Sequence, residues 1–344
     1  MSDLRTTRAD NLPVRLLLRI DAGHQLGFGH AVRSSALVDA LASRTELVVA
    51  GDDLDALARF FPTARLRSVE RDSLVAILDS VRPDVVLVDL PRHTPELWSA
   101  LRGPGRPVIA VDDEGGELTA DLVINGAVPD AYHCYPALRP GGKALTGPSY
   151  TLLRPAFGVT PWRDPETPSV TVVVGSGERA RDWAFALVGD ALDRTAWGKV
   201  SMVVGAAFPE RETLRQACDH AGVRLLSGLD APALADLLAG SRVALITGGM
   251  ITSEALAVGA PAIVFPQVPN LIPEAAWLAA RGAIRDLGFD GGMDMARVGT
   301  EVGALQRDRA EARAQSARAR ALIDGRGLER AAQAVETLLE GVRR

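Results

Sequence analysis

The sequence predicts an α/β protein made of two doubly wound domains. Short apolar runs alternate with helical segments from residue 14 through residue 124. A proline-rich stretch then interrupts the alternation, which resumes near residue 168. Apolar runs separated by helices are typical of parallel strands that are buried on both faces of a sheet. A chain of 344 residues is also long enough for two domains of ordinary size.

The first half begins with the apolar run Val14 to Ile20, which predicts a strand, and residues 31–41 then have the apolar periodicity of a helix. By the same reasoning, further strands are predicted at residues 46–50, 84–90, 107–111 and 121–124, and further helices at 54–61, 73–81 and 94–101. We therefore expect a parallel sheet with helices on both of its faces.

The second half follows a crossover that contains eight prolines between Pro129 and Pro168. Strands are predicted at residues 169–174, 199–204, 223–226, 243–247 and 261–266, followed by terminal helices at 301–342. The predicted organisation is a disordered tail at residues 1–13, a first domain at 14–160, and a second domain with the terminal helices at 161–344.

Composition excludes several classes of protein. A formal net charge of −5 argues against a nucleic-acid-binding protein, which needs a basic surface. Cys134 and Cys218 are far apart and have no Cys or His at ligand spacing, so no metal site is expected. We find neither a signal-peptide core nor an apolar run long enough to span a membrane, and we therefore expect a cytoplasmic protein.

The loop from Asp21 to His30 follows the first predicted strand and leads into a helix. Gly27 and Gly29 allow a ligand to approach the backbone, and the helix N-terminus offers free N–H groups to an anion. His30 lies in the first helical turn, where the helix dipole favours a neutral imidazole that can act as a general base. From spacing alone, a histidine that only packs at the helix start is the alternative.

A second glycine loop runs from Thr247 to Glu254, between a predicted strand and a helix. Backbone N–H groups at Gly248 and Gly249, with the hydroxyl of Thr252, are suited to a diphosphate. The carboxylate of Glu254 could accept hydrogen bonds from the two hydroxyls of a ribose. The alternative is an ordinary glycine turn with Glu254 on a solvated face. No Gly-Lys-Ser/Thr sequence is present, which excludes a P-loop ATPase.

Acidic residues follow two further predicted strands. Asp112 and Asp113 could bind a metal, hydrogen-bond sugar hydroxyls, or serve as a turn or helix cap, and no third carboxylate at a fixed spacing supports the metal. Asp89 is either an acid at the edge of a ligand site or a cap for the next helix. Three histidines without a partner at a suitable spacing are assigned to the surface, namely His93, His133 and His220.

Several of these segments together resemble the PseG/SpsG family of GT-B-like proteins. The opening signature is Arg19-x-Asp21-Ala22-Gly23 followed by Gly27-x-Gly29-His30-x-x-Arg33. Other matching segments, in the same order, are Val88-Asp89, Asp112-Asp113, Asp121 to Asn125, Gly147-Pro148-x-Tyr150-x-Leu152-Leu153-Arg154, Gly248 to Glu254, Gly259-x-Pro261 and Asn270. The resemblance covers most of residues 14–290.

This resemblance implies two Rossmann-like domains that face each other across a cleft, and an enzyme that hydrolyses a UDP-sugar with inversion at the anomeric carbon. It implies that His30 activates the water. The implied sugar-binding residues are Asp21, Gly27, Gly29, Arg33, Asp112 and Asn270. The implied nucleotide-binding residues are Gly175, Ser176, Gly248, Gly249, Met250, Ile251, Thr252 and Glu254. Neither a metal nor a cofactor is expected.

The sequence departs from the family pattern at three places: Gly175-Ser176-Gly177-Glu178 replaces a Gly-Gly-Ser-Asp-type turn, Leu271 follows Asn270, and Pro273 interrupts a helix start. The identity of the sugar is therefore not predicted, and neither is the oligomeric state. Two alternatives to a hydrolase are an inverting glycosyltransferase with the same site and a non-catalytic protein that binds nucleotide sugars.

Overall fold

The computed structural model describes residues 13–23, 27–41, 45–101, 103, 105–175, 178–191, 194–205, 208–289 and 294–343. The chain divides into two compact units. The first unit comprises Met1–Leu152 and Arg326–Arg344, and the second comprises Leu153–Gly325. The chain therefore leaves the first unit once and returns to it near the C-terminus.

The first unit contains a seven-stranded parallel sheet. Its strands are β1 (Val14–Ile20), β2 (Thr45–Gly51), β3 (Arg65–Ser68), β4 (Val85–Asp89), β5 (Val108–Val111), β6 (Leu122–Asn125) and β7 (Lys143–Thr146). Its helices are α1 (Gly29–Asp39), α2 (Leu54–Ala58), α3 (Leu74–Val81), α4 (Pro95–Leu101) and, after the second unit, α14 (Gly327–Arg343). The order across the sheet is β3-β2-β1-β4-β5-β6-β7.

Helices cover both faces of this sheet, as the apolar strands require. Side chains alternate between the two faces of a strand, so Leu16 and Leu18 of β1 lie in the core that includes α1 and α14. Leu17 lies in the core on the other face, together with Ile77 of α3 and Trp98 of α4. Both cores are thus built from the same strands, which explains their nearly continuous apolar sequences.

The second unit contains a six-stranded parallel sheet. Its strands are β8 (Ser169–Val174), β9 (Lys199–Val204), β10 (Arg224–Ser227), β11 (Val243–Ile246), β12 (Ala262–Val264) and β13 (Ile284–Asp286). Its helices are α5 (Pro155–Val159), α6 (Glu178–Ala186), α7 (Arg194–Trp197), α8 (Arg211–Ala221), α9 (Ala231–Ala239), α10 (Met250–Val258), α11 (Ile272–Ala280), α12 (Met295–Arg307) and α13 (Arg309–Leu322). The order across the sheet is β10-β9-β8-β11-β12-β13.

Each sheet has one position where the strand order reverses. In the first unit, β1 lies beside β4, and in the second unit, β8 lies beside β11. At such a position the loops after the two neighbouring strands turn to opposite faces and leave a crevice, where open α/β sheets bind ligands. The two glycine loops that the sequence predicts to bind ligands follow residues 20 and 246, and both begin at these crevices.

The predicted fold class is confirmed, and the strands missing from the prediction share one property. These strands are β3, β7 and β13, and each is the last strand at one edge of its sheet. Their residues are mostly exposed or half-buried. An edge strand has a neighbour on one side only and mixes polar with apolar residues, so it lacks the apolar run that marks a central strand.

The C-terminal helix packs differently from the sequence-based division, which places it with the second domain. Leu328, Val335 and Leu339 of α14 are buried in the core of the first unit, next to α1. The apolar periodicity of this segment predicts a packed helix, but periodicity carries no information about which sheet the helix covers.

We expect Gly325→Ala to destabilise the second unit by about 3 kcal/mol, from left-handed strain together with overpacking. Gly325 has φ +75°, and a Cβ atom there would lie 2.4 Å from the Cα of Gly158. Gly141→Ala is the matched control, since Gly141 has φ +80° and no atom within 4 Å of its Cβ position. Urea unfolding measures both variants. Equal losses of stability would show that close backbone packing at Gly325 contributes nothing.

Candidate functional site

The turn between β1 and α1 is closed by backbone hydrogen bonds between Gly23 and Gly27. The Gly27 N–H donates to the Gly23 carbonyl at 2.8 Å, and the Gly23 N–H donates to the Gly27 carbonyl at 3.2 Å. Gly27 has φ +81°, which favours glycine. Helix α1 starts two residues later, at Gly29, and has no side-chain cap. His30 therefore lies in the first turn, as predicted from the sequence.

His30 contacts a buried carboxylate at the end of the neighbouring strand. The Nδ1 atom of His30 lies 2.6 Å from Oδ1 of Asp89, whose side chain is fully buried. Asp89 follows Val85 and Leu87 in the alternation of β4, so its side chain points to the face that α1 covers. The His30 side chain is 17 % exposed and thus retains access to solvent.

Two further side chains on α1 bind the Asp89 carboxylate. Arg33 donates from Nη2 to Oδ1 at 2.6 Å and from Nε to Oδ2 at 3.0 Å, and the hydroxyl of Ser34 donates to Oδ2 at 2.7 Å. Burial by itself would raise the pKa of Asp89, but Arg33 and His30 outweigh burial and hold this pKa well below its usual range. Asp89 is therefore ionised.

The ionised carboxylate determines which nitrogen of His30 carries a proton. A carboxylate only accepts hydrogen bonds, so Nδ1 of His30 must donate to Asp89. In the neutral imidazole Nε2 is then unprotonated and can accept a proton from a substrate. A carboxylate behind the ring also stabilises the imidazolium that forms after proton transfer. The pair has the geometry of a general base whose imidazole is oriented by a carboxylate.

Arg33 extends this network to the end of β5. Its Nη1 atom lies 2.7 and 2.8 Å from the two carboxylate oxygens of Asp113, which is half exposed. Burial would lower the pKa of Arg33, but Asp89 and Asp113 outweigh it and keep this pKa above its usual range. The guanidinium of Arg33 is therefore paired with two carboxylates, and its contact with a sugar stays a prediction.

Asp112 is buried in a hydrogen-bonded turn after β5. Its Oδ2 atom accepts from the backbone N–H of Gly115 at 2.6 Å and from the hydroxyl of Tyr135 at 2.7 Å. Burial would raise the pKa of Asp112, but the nearby His93 and the hydrogen bonds from Tyr135 and Gly115 outweigh it and lower this pKa. The structure thus favours a role in holding the turn, and a role of Asp112 in sugar binding stays a prediction.

The assignment of His93 to the surface is wrong. Its side chain is only 10 % exposed, and its ring stacks on Trp98 with a centroid distance of 5.3 Å. The Nε2 atom lies 3.3 Å from Oδ1 of Asp112. The positions of His93, Trp98 and Asp112 in the sequence do not predict these contacts. The loop after β4 brings His93 to the end of the neighbouring strand, β5.

Asp21 lies at the same edge of the sheet, directly after β1. It forms an ion pair with Arg19, whose Nη2 donates to Oδ2 at 2.9 Å. The two side chains line a cavity of about 690 Å³, together with Arg92 and Thr94 of the loop after β4. The cavity is therefore at the reversal point of strand order, between the loops that follow β1 and β4.

The second candidate loop connects β11 to α10. Gly248 and Gly249 have φ +90° and +82°, and α10 then begins at Met250 without a side-chain cap. A Cβ atom at Gly249 would meet no atom within 4 Å, so open space lies in front of the loop. The first N–H groups of a helix have no partner within the helix and are available to an anion. The roles predicted for Met250 and Ile251 stay predictions.

Two other predicted segments lie near this loop. Gly175 is exposed at the end of β8, which is the neighbour of β11, so both loops leave the sheet side by side. Leu271 packs over Gly248, with its Cδ1 3.0 Å from the Cβ position there, and Asn270 is exposed. Ser176 and Gly177 lie outside the described residues, as does His24 of the first loop.

Glu254 is buried and paired. Its Oε1 atom accepts from Nη2 of Arg154 at 2.7 Å, and its side chain is 5 % exposed. Burial raises the pKa of Glu254, and Arg154 offsets part of this shift. The alternative of a solvated carboxylate is therefore wrong. Thr252 is also buried, and the predicted nucleotide contacts of both residues stay predictions.

The described residues contain neither a candidate metal cluster nor a helix that could cross a membrane. No group of three or more His, Cys, Asp or Glu side chains there could hold a metal ion. No helix in that part of the chain has the length and apolar character needed to cross a bilayer.

Comparisons with known proteins agree with this architecture. No family model matches the sequence. The chain is 22 % identical over 284 residues to the spore coat polysaccharide biosynthesis protein SpsG of Bacillus subtilis strain 168, which covers 78 % of this chain and 82 % of SpsG.

Solved structures share the fold at low sequence identity. A putative UDP-N-acetylglucosamine 2-epimerase from Listeria monocytogenes superposes with a TM-score of 0.64 at 13 % identity, covering 96 % of this chain and 98 % of that one. The calicheamicin glycosyltransferase CalG4 superposes with a TM-score of 0.59 at 18 % identity, covering 96 % and 99 %. The two parallel sheets and these neighbours define a protein of the GT-B fold.

Within that fold the chain is similar to SpsG, in agreement with the resemblance of its opening signature.

We expect Asp89→Ala to destabilise the first unit by about 3–5 kcal/mol, because it leaves Arg33 buried with one of its two partners removed. The variant should also lose the fixed Nδ1–H tautomer of His30, which ¹⁵N NMR of labelled histidine reports. Asp113→Ala is the control, and we expect it to cost about 1 kcal/mol or less because that ion pair is half exposed. An unchanged His30 spectrum in Asp89→Ala would contradict the tautomer assignment.

Proposed function

We propose that this protein is an enzyme that uses nucleotide sugars and hydrolyses the bond between the anomeric carbon and the diphosphate of a UDP-sugar. The observation that carries the proposal is the hydrogen bond between His30 and the buried, ionised Asp89. A histidine that only packs at a helix start needs no buried carboxylate behind its ring. Keeping a carboxylate ionised away from water has a large cost unless it is paired, so this arrangement favours a general base.

In the proposed reaction, Nε2 of His30 removes a proton from water as the water oxygen attacks the anomeric carbon. The C1–O bond to the diphosphate breaks with its electron pair going to the diphosphate, and the configuration at C1 inverts. Asp89 stabilises the imidazolium that His30 becomes. Water or the leaving diphosphate then takes the proton from His30 and regenerates the base. No metal and no cofactor takes part in this proposed sequence.

The second unit is proposed to bind the nucleotide. The open space in front of Gly249 and the uncapped N-terminus of α10 support binding of the diphosphate, whose charge increases as the C1–O bond breaks. The resemblance of the loop from Gly248 to Glu254 and the named activity of the Listeria neighbour support UDP as the nucleotide. Asp21 and Asn270 are proposed to contact the sugar.

A glycosyltransferase is the second candidate, and one observation favours it. The cavity at Arg19, Asp21 and Arg92 lies at the same sheet edge as His30 and has about 690 Å³, which is enough for an acceptor molecule. A hydrolase needs space only for water beside the sugar. A non-catalytic binding protein is the third candidate, and the His30–Asp89 pair argues against it because binding alone requires no base.

We expect His30→Gln to lower turnover by about 10²-fold or more, because glutamine has no basic nitrogen. Release of UDP from a panel of UDP-sugars measures turnover, and affinity for UDP measured on the same variant should stay within about twofold. His133→Gln is the matched control, since that imidazole contacts the Ala127 carbonyl. Full turnover in His30→Gln would exclude the proposed mechanism.

The same assay separates the two enzymatic candidates. Release of UDP and free sugar in water alone supports the hydrolase. Release of UDP only after addition of an acceptor, with a glycoside as product, supports the transferase. An absence of turnover with every donor and acceptor, together with tight binding of UDP, would support the non-catalytic protein.

We expect UDP to raise the melting temperature of the protein, because a ligand that binds only the folded state stabilises it. Gly249→Ala should weaken UDP binding about tenfold or more, since the methyl group enters the open space before the loop and the residue has φ +82°. Gly141→Ala has the same kind of backbone strain in the first unit and should bind UDP normally. Parallel measurements with GDP, CMP and dTDP identify the base, and equal shifts with all four would contradict selection for uracil.

A further inference from the structure

A second cavity, of about 860 Å³, lies in the first unit beside the amino ends of the strands. His30 and Asp89 lie at the carboxyl ends. The cavity is lined by Pro107, Leu122 and Lys143 at the amino ends of β5, β6 and β7, and by one face of α14. The carboxyl ends of the strands, with Asp89 and Asp112, lie at the other edge. Strands of four or five residues put about 13–17 Å between the two edges.

The lining of this cavity is strongly basic, although the whole chain carries a net charge of −5. Four cationic side chains line it, and one carboxylate accompanies them. The cationic residues are Arg106, Arg139, Lys143 and Arg330, and the carboxylate is Asp121. A concentration of positive charge inside a concave site favours an anionic ligand.

One of these cations has a structural role. Arg139 donates to Oδ2 of Asp121 at 2.9 Å and to the Leu101 carbonyl at 3.1 Å. The Leu101 carbonyl belongs to the last residue of α4, where helix carbonyls lack partners and attract cations. The presence of Arg139 at this cavity is therefore explained by its ion pair with Asp121 and by its contact with the end of α4.

Arg106 has no comparable set of partners among the described residues. Its Nε atom is buried and has no hydrogen-bond partner among the described residues, and its Nη2 reaches the Leu101 carbonyl only at 3.5 Å. Burial lowers the pKa of Arg106, and repulsion from Arg139 lowers it further, while Asp79 offsets part of the shift. The long contact with the Leu101 carbonyl satisfies Arg106 only in part, and its guanidinium, which lines the cavity, is suited to an anion.

The remaining lining suits an organic molecule more than a bare ion. Leu145, Leu338 and the ring of Tyr150 form an apolar part of the cavity. Lys143 is exposed at its rim. A cavity of this size with a few polar groups and an apolar wall is typical of sites for small-molecule ligands.

We propose that this cavity is a second ligand site, separate from the candidate active site, that binds a small molecule carrying phosphate or carboxylate groups. Arg106 and Lys143 bind the anionic groups, and Tyr150 and Leu338 contact the apolar part. The proposal does not depend on the proposed function, because the residues that bind the anionic groups, Arg106 and Lys143, lie at the amino ends of β5 and β7.

Isothermal titration of the full chain with inorganic pyrophosphate and, separately, with citrate tests this proposal, at constant ionic strength. We expect Lys143→Ala and Arg106→Gln each to weaken binding about tenfold or more, because a charge-assisted hydrogen bond is lost. Lys199→Ala is the matched control, since Lys199 is also an exposed lysine at the first residue of a strand, β9, in the second unit. Comparing the two anions distinguishes a phosphate ligand from a carboxylate ligand.

Gly249→Ala separates this site from the predicted diphosphate site. Binding that is lost in Lys143→Ala and Arg106→Gln but retained in Gly249→Ala and Lys199→Ala supports the proposal. Binding that is lost only in Gly249→Ala would place the anion in the second unit and overturn it. Equal binding by all variants, or no binding of either anion by the unaltered protein at millimolar concentration, would overturn it as well.

Discussion

The geometry at the carboxyl edge of the first sheet depends on the burial of one carboxylate, that of Asp89. An ionised carboxylate away from water is costly by several kcal/mol unless charges and hydrogen bonds compensate it. Here His30, Arg33 and Ser34 all supply them from the first turns of α1. The same contacts fix the start of α1 against the end of β4. One interaction therefore stabilises a helix and orients the imidazole of that helix.

The sheet order explains why these residues can meet. Asp89 and His30 are 59 positions apart in the sequence, yet β1 and β4 are neighbours because the strand order reverses between them. The second unit has the same reversal between β8 and β11, where the glycine loop precedes α10. Each unit thus presents one helix N-terminus at the point where parallel sheets bind ligands. The two units share this architecture, with the His30–Asp89 pair at the helix start of one unit and a glycine loop before an uncapped helix start in the other.

Much of this could be predicted from the sequence, for reasons that particular residues make clear. Val14 to Ile20 and Ser169 to Val174 have continuous apolar sequences because both of their faces are buried, so periodicity alone identifies them. His30 could be selected because glycines and a helix start surround it. The edge strand Lys143–Thr146 could not be predicted, since it mixes polar with apolar residues and has no continuous apolar run.

The contacts of the acidic residues could not be predicted either. Asp89 is one of several acids that follow a strand, and only the strand order shows that it reaches His30. Glu254 follows two glycines at a helix start, which suits a ligand contact, but Arg154 approaches it from a segment a hundred residues earlier. Contacts of this length depend on topology, and a single sequence does not encode topology in its local pattern.

The two edges of the first sheet have opposite electrostatic requirements, and the sequence meets both. In a parallel sheet with helical crossovers, the N-termini of the helices lie at the carboxyl edge of the strands and their C-termini at the amino edge. The partial negative charge of the C-termini attracts cations, which explains Arg139 beside the last carbonyl of α4. It does not explain a second guanidinium in the same place, since two cations repel each other and the α4 terminus presents one carbonyl to both. The end of α4 therefore does not account for Arg106, a half-buried cation that lines the basic cavity with Lys143, and a bound anion would account for both.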